Sequence, residues 1–430
     1  MSAVNLLQST PVRITLPNGL LVLVQPLPHL ASVSLGVNVA VGSRDEREPE
    51  RGLSHLVEHM VFQGTRRRDT RELSRVLAAV GGHLDAATGR ESTTFYAKVP
   101  APHFSLALDV IADMLRHPQL PERELRKEKR VILEEIRMVE DAPDEYVHDL
   151  LFQSLWPRHP LGWPILGTRR HLRAAHRADL AGFMARHYQP GKMILAVAGR
   201  ITPAAAAAEA RRLLGRLAKT PGPAAPAPAL PKSGARALVQ RRSLEQVHVC
   251  LGVRGLAYAS PQRLASLAVN SILGGGPNSR LFYEIRERRA LVYAVYSFVD
   301  YYRDTGLAGI YLACHPRNLS EALKRVQEET HRLASAGPTA QEGRDIREQM
   351  RGNLLISLES SSTHMWNLLQ QEMYLQSHPT PAQVLREIDG LSRAGLAAAM
   401  RSLFLKAPVC SAAVGPISEA AEAQLRGFRI

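Results

Sequence analysis

The chain has 430 residues, of which 45% are hydrophobic and 22% charged, enough apolar content for two or more packed domains with sizeable cores. Three isolated cysteines, Cys250, Cys314 and Cys410, argue against a disulfide framework and a four-cysteine metal site, and no window approaches the roughly eighteen consecutive apolar residues of a membrane span. The net charge of +14 raises nucleic acid as a partner, yet the basic residues are interleaved with glutamates, as between Glu122 and Arg130, and aromatics available for base stacking make up 5% of the chain.

The N-terminal MSAVNLLQSTPVRI lacks a charged start followed by an apolar core and cleavage site, so the expected location is cytoplasmic. Val33, Leu35, Val37, Val39 and Val41 then alternate with small or polar residues, the period-two pattern of a half-buried strand. A helix is expected next, from near Gly52 to a stop at Gly64, with Leu53, Leu56, Val57, Met60 and Val61 on its apolar side.

That helix carries His55-Leu56-Val57-Glu58-His59. At about 100° per residue, His55, Glu58 and His59 share one face, and two neutral imidazoles four residues apart can hold one zinc ion with a glutamate beside it. The order His-x-x-Glu-His inverts the usual zincin motif. Two exposed histidines on a surface helix are the alternative.

A catalytic zinc takes three protein ligands, so a third donor must come from elsewhere. The segment PERELRKEKRVILEEIRMVE, 121–140, predicts a helix with Leu125, Ile132 and Val139 on its inner stripe. Glu128 and Glu135 fall on that stripe, while Glu134 turns to solvent. Carboxylates there need a metal, a base or ordered donors; a structural ion pair is the competing explanation.

Between Lys219 and Lys232 the sequence KTPGPAAPAPALPK reads as an extended linker. It separates a weak internal repeat, Leu35-Gly36-Val37 recurring as Leu251-Gly252-Val253, each within an alternating strand followed by a helical stretch. The expected organisation is a domain over 1–218, a linker over 219–235 and a similar domain over 236–430.

In these residues the chain resembles the pitrilysin and insulinase family of zinc peptidases, which includes mitochondrial processing peptidases. The likeness rests on HLVEH and VILEEI, and extends through TLPNGLLVLV, GGHLDAATGREST, HPLGWPILGT, HYQPGKMILAVAG and GGGPNSRLFYEIRERRALVYAVYSF. It implies an α+β fold of two homologous domains, each a mainly antiparallel sheet packed with helices, with the zinc motif kept in the first copy only.

By the same resemblance, His55, His59 and Glu135 are the zinc ligands, with one zinc per chain. Glu58 is the general base that activates the attacking water and returns its proton to the leaving amine, and Glu128 is an accessory catalytic carboxylate. Substrate adds as a strand along Leu84 to Thr88, with Asp85 and Ala86 as binding residues; many relatives carry asparagine at the position of Asp85. Arg286 and Tyr293 contact the bound peptide from the second domain, and Ala290 stands where relatives have glycine.

The function these features imply is a zinc-dependent endopeptidase acting on peptides enclosed in a chamber, with a homodimer or a heterodimer with a related subunit as the assembly. The alternatives are a non-catalytic partner subunit, opposed by the intact motif, and a basic nucleic-acid-binding protein. Ligand type narrows the metal to zinc without excluding Mn²⁺ or Co²⁺. No specific nucleic acid or membrane partner is expected, and His83, His148 and His248 read as structural or surface groups.

Overall fold

The computed structural model describes residues 7–217, 229–405 and 407–430. The chain divides into two compact units, each built from three segments. Unit 1 takes Met1–Ile136, Trp163–Pro228 and Leu354–Ala382; unit 2 takes Arg137–Gly162, Ala229–Asn353 and Gln383–Ile430. The proline- and alanine-rich stretch predicts a linker over 219–235, and the two units exchange a segment in each direction across it. Residues 219–228 of that expected linker lie outside the described residues.

Unit 1 holds a six-stranded sheet formed by β1 (Val12–Thr15), β2 (Leu21–Pro26), β3 (Ser32–Val39), β4 (His83–Thr88), β5 (Thr93–Pro100) and β6 (Met193–Gly199), ordered β1-β2-β6-β3-β5-β4. All neighbours are antiparallel except β2 and β6. One face packs on helices α1 (Leu53–Val61), α2 (Phe104–Arg116) and α3 (Glu122–Asp141). Their inner stripes, including Leu56 and Met60, Val110 and Ile111, and Leu125, Ile132 and Ile136, interlock with Val33, Leu35 and Val37 of β3.

The next helix, α4 (Pro143–Leu155), belongs to unit 2, and α5 (Ser361–Leu375), from the second half of the sequence, belongs to unit 1. Met365, Leu368 and Leu369 of α5 cover the other face of the first sheet against Leu21, Leu23, Ala196 and Ala198. At about 1.5–3 kcal/mol per buried large apolar side chain, this helix contributes substantially to the unit. It also corrects the half-buried reading of β3, which is buried on both faces. The small polar residues that suggested solvent instead meet α5 and β5: Ser34 hydrogen-bonds Ser361 at 2.9 Å, and Asn38 donates to Thr94 at 2.8 Å.

Unit 2 repeats the plan with β7 (Ala237–Arg241), β8 (Val247–Gly255), β9 (Ala294–Tyr301), β10 (Gly306–Cys314) and β11 (Cys410–Gly415), ordered β7-β11-β8-β10-β9. This matches the first sheet without β1, down to its single parallel pair, β7 with β11. Val147, Leu151 and Phe152 of α4 cover one face against Cys250, Leu307 and Ala412. Cys250, Cys314 and Cys410 are buried free thiols.

The repeated glycines mark the two docking points. A Cβ on Gly36 would lie 2.6 Å from Met365 Sδ, and one on Gly252 would lie 2.9 Å from a Leu151 methyl. Each central strand therefore gives up a side chain so that a helix from the other half of the sequence can approach. A branched side chain leaves no room for both, so Gly36→Val and Gly252→Val are each expected to cost about 1–3 kcal/mol, seen as a lower midpoint in thermal unfolding, whereas a control with open space around the Cβ position, Gly276→Val, is expected to stay near wild type.

Candidate metal centre

Helix α1 begins at Gly52, whose φ of +89° suits glycine, and whose missing side chain leaves space for the carbonyl of Leu166, 2.8 Å from where a Cβ would sit. The buried carboxyl of Glu46 accepts the backbone N–H groups of Gly52 and Ser54, each at 2.8 Å, satisfying donors that the first turn leaves unpaired. Burial pushes this carboxyl up to about 8 against the pull of those donors. The helix proper ends at Val61; Phe62 and Gln63 donate to His59 and Met60 to tighten the last turn, and Gly64 at φ +113° turns the chain away.

On this helix His55, Glu58 and His59 place their ligand atoms within 4.8 Å of one another. The two imidazole centroids are 4.5 Å apart. From α3, Glu135 brings Oε2 to 3.9 Å from His55 Nε2 and Oε1 to 3.8 Å from His59 Nε2. Glu134, its neighbour, is exposed, as the helical period requires.

These separations are too long for hydrogen bonds and close to the roughly 3.3 Å between two donors on one tetrahedral zinc with bonds of about 2.1 Å. Oε2 of Glu135 and Nδ1 of His55 are both buried without a hydrogen-bond partner, so the cluster is not closed by its own side chains. Burial first, and then His59, holds His55 down at about 4, so its imidazole is neutral with a lone pair to offer at physiological pH. The residues present therefore fit a zinc ion.

Two carboxylates compete for the third position. Glu58 accepts a short hydrogen bond from the Thr88 hydroxyl, while Glu135 faces both imidazole nitrogens, which favours Glu135 as ligand and leaves Glu58 beside it. Burial raises the Glu58 carboxyl above its ordinary value, and the Thr88 bond opposes that shift.

Glu128 sits behind the histidine pair: it hydrogen-bonds His59 Nδ1 at 2.9 Å and accepts from Gln63 at 3.0 Å. With Nδ1 engaged by Glu128, Nε2 is the nitrogen of His59 left on the side of Glu135, an arrangement in which a carboxylate can orient a metal-binding imidazole.

Thr88 closes β4, the sheet's edge strand, and the turn to β5 is pinned from beneath. Arg44 and Glu91, both buried, pair at 2.6 Å, and Arg44 N–H donates to Arg90 O at 2.7 Å. Asp85 and Ala86 lie on β4, opposite Tyr96 and Phe95. The sequence reading did not single out Glu46, Gln63, Thr88, Arg44 or Glu91 as supports of the site. Nothing local marks them, since Arg44 and Glu46 stand within the polar run SRDEREPE and Glu91 within GREST.

In unit 2, Arg286 and Tyr293 are exposed. The Arg286 guanidinium lies 4.9 Å from the Phe282 ring centroid. Between them Ala290 adopts φ +50°, so the turn keeps a left-handed conformation although glycine is absent. His148 and His248 hydrogen-bond Tyr296 and Tyr311, each at 2.9 Å, and His83 is largely exposed, in keeping with structural or surface roles. Among the described residues no helix is long and apolar enough to cross a membrane.

Comparison with known proteins converges on one group. Residues 21–169 match the family model of insulinase (peptidase family M16), and residues 174–350 match that of the peptidase M16 inactive domain. The chain is 36% identical over 400 residues to the uncharacterized zinc protease YmxG of Bacillus subtilis, spanning 91% of this chain and 95% of that one. It is 34% identical over 397 residues to the uncharacterized zinc protease Rv2782c of Mycobacterium tuberculosis, covering 92% and 91%. Its fold matches a protease from Helicobacter pylori with a TM-score of 0.89 at 23% identity, covering 95% of this chain and 99% of that one.

Two outcomes check the geometry. Glu128→Gln is expected to weaken zinc affinity about 10- to 100-fold in competition with a chelator while the fold is retained. Ala290→Gly is expected to raise stability by up to about 1 kcal/mol, read as a higher unfolding midpoint, because it removes the left-handed strain.

Proposed function

We propose, from the premise that the chain belongs to the M16 insulinase family of zinc proteases, that it is an endopeptidase cutting extended peptides laid along β4, with Glu58 as general base. The observation that carries this reading is the placement of Glu58: its carboxylate clusters with His55 and His59 and is hydrogen-bonded to Thr88 at the end of the sheet's edge strand. A zinc ion held by His55, His59 and Glu135 would supply Lewis acidity, polarising the scissile carbonyl and lowering the pKa of the attacking water towards 7.

The protein's own groups do the rest. The outer edge of β4 offers main-chain donors and acceptors to a substrate strand, which gives affinity with little demand on sequence and keeps the scissile bond near Glu58. Glu58 takes the proton from the attacking water and delivers it to the leaving amine, a task suited to a carboxyl raised by burial. Glu128 holds the His59 ring in place throughout.

Arg286 and Tyr293 are the unit 2 residues assigned to the bound peptide, and the enclosing assembly is a homodimer. Sedimentation at twice the subunit mass is the expected result, and a monomer that is fully active would remove the dimer from the account.

The test of the activity is cleavage of a mixed quenched-fluorescent peptide library. Wild type is expected to cleave it; Glu58→Gln is expected to lose about 10²- to 10⁴-fold in rate while keeping its zinc. A Glu58→Gln variant as active as wild type would overturn the assignment of the base.

A further inference from the structure

A strand added to β4 has two faces, and the site described so far occupies one of them. Leu84, Ala86 and Thr88 are the half-buried members of β4 and point to the side of α1 and Glu58. His83, Asp85 and Ala87 are exposed and point to the opposite side. There Asp85 pairs in register with Tyr96, whose hydroxyl donates to Asp85 Oδ2 at 3.1 Å. The Tyr96 ring stands edge-on to Trp366 with centroids 5.1 Å apart.

We propose that Asp85, Tyr96 and Trp366 form a subsite for a lysine or arginine side chain of the peptide bound along β4, an inference that rests on the strand-addition reading above. Residues opposite one another on adjacent strands present their side chains on the same face, with Cβ atoms about 4.5–5.5 Å apart. The substrate residue facing Asp85 therefore enters this subsite. The Asp85 side chain is 53% exposed and keeps capacity to accept beyond its bonds to Tyr96 and to the Ala86 N–H.

A carboxylate hydrogen-bonded to one aromatic side chain, with a second ring packed against the first, matches a long cationic side chain: the aromatic surface takes the aliphatic stem and the cation's face, and the carboxylate takes its hydrogen bonds. Asp85, after burial, helps to hold the Tyr96 hydroxyl above its ordinary value, in line with the contact between them. An imidazole and a cation share the face: His83 Nε2 stands 3.6 Å from Asp85, and Lys98 pairs with His83 across the strands. They moderate the field of Asp85, so the preference is modest. The alternation of the strand sets its pattern, because basic residues are favoured at the position facing Asp85 and not at either adjacent position, whose side chains turn to the Glu58 face.

Two readouts separate this proposal from the activity it rests on. The first is cleavage of a peptide series in which each position in turn is lysine or methionine, compared as the ratio of kcat/KM. The second is binding of the same uncleaved peptides to the zinc-loaded Glu58→Gln protein by fluorescence anisotropy. Lysine is expected to be favoured about three- to tenfold at one position in both readouts. Asp85→Asn is expected to bring that ratio close to one, Asp85→Lys to reverse it in favour of glutamate, and Trp366→Leu to reduce it partially.

Cleavage without a lysine preference, or a preference unchanged in Asp85→Asn, overturns the subsite and leaves the peptidase standing. A preference in binding that disappears in Asp85→Asn, with no cleavage by wild type, supports the subsite and overturns the peptidase. Neither binding nor cleavage of any peptide overturns both.

Discussion

The arrangement turns on the cost of keeping ionisable groups together out of water. His55, Glu58, His59 and Glu135 crowd into a few ångströms of partly buried space on two helices, where burial, with His59 beside it, holds His55 down at about 4 and burial pushes Glu58 upwards. Such a cluster is stable only where its surroundings are rigid and where a cation or a set of donors repays the desolvation. Each feature around it serves that end. Glu46 pins the start of α1, Glu128 and Gln63 brace His59 from behind, and the buried Arg44–Glu91 pair fixes the turn that presents Thr88 to Glu58.

The same rigidity comes from covering both faces of each sheet. A single antiparallel sheet with one wet face would leave β3 exposed behind the site; here α5 seals it, and α4 does the same in unit 2. The exchange explains why Gly36 and Gly252 recur in otherwise bulky strands. It also brings Trp366, far along the sequence, against Tyr96, the partner of Asp85 on the neighbouring strand.

Much of the fold and site was legible because the responsible signals are local. The spacing of His55, Glu58 and His59 follows from the helix period, and the choice of Glu135 over Glu134 follows from the same arithmetic along α3. The duplication was visible in Leu-Gly-Val and is confirmed by the shared strand order. What escaped the sequence are contacts between distant segments. The burial of β3 depends on a helix more than three hundred residues away, and Ser34 looked solvent-facing because its partner, Ser361, lies in the other half of the chain. Glu46 escaped for a different reason: it caps α1 from outside the short-range patterns by which caps are recognised. For Glu128 a helical wheel gives its face but not its partner, and that partner is His59 Nδ1.

The central claim is that α1 and α3 together hold one catalytic zinc, and native mass spectrometry of the purified protein measures this most directly when wild type, His59→Ala and Glu135→Gln are compared. The account predicts one zinc per chain in wild type and its loss or strong weakening in both variants, with the fold preserved. Undiminished zinc in Glu135→Gln would show that α3 does not contribute the third ligand, and a metal-free wild type that still cleaves peptides would contradict the account at its base.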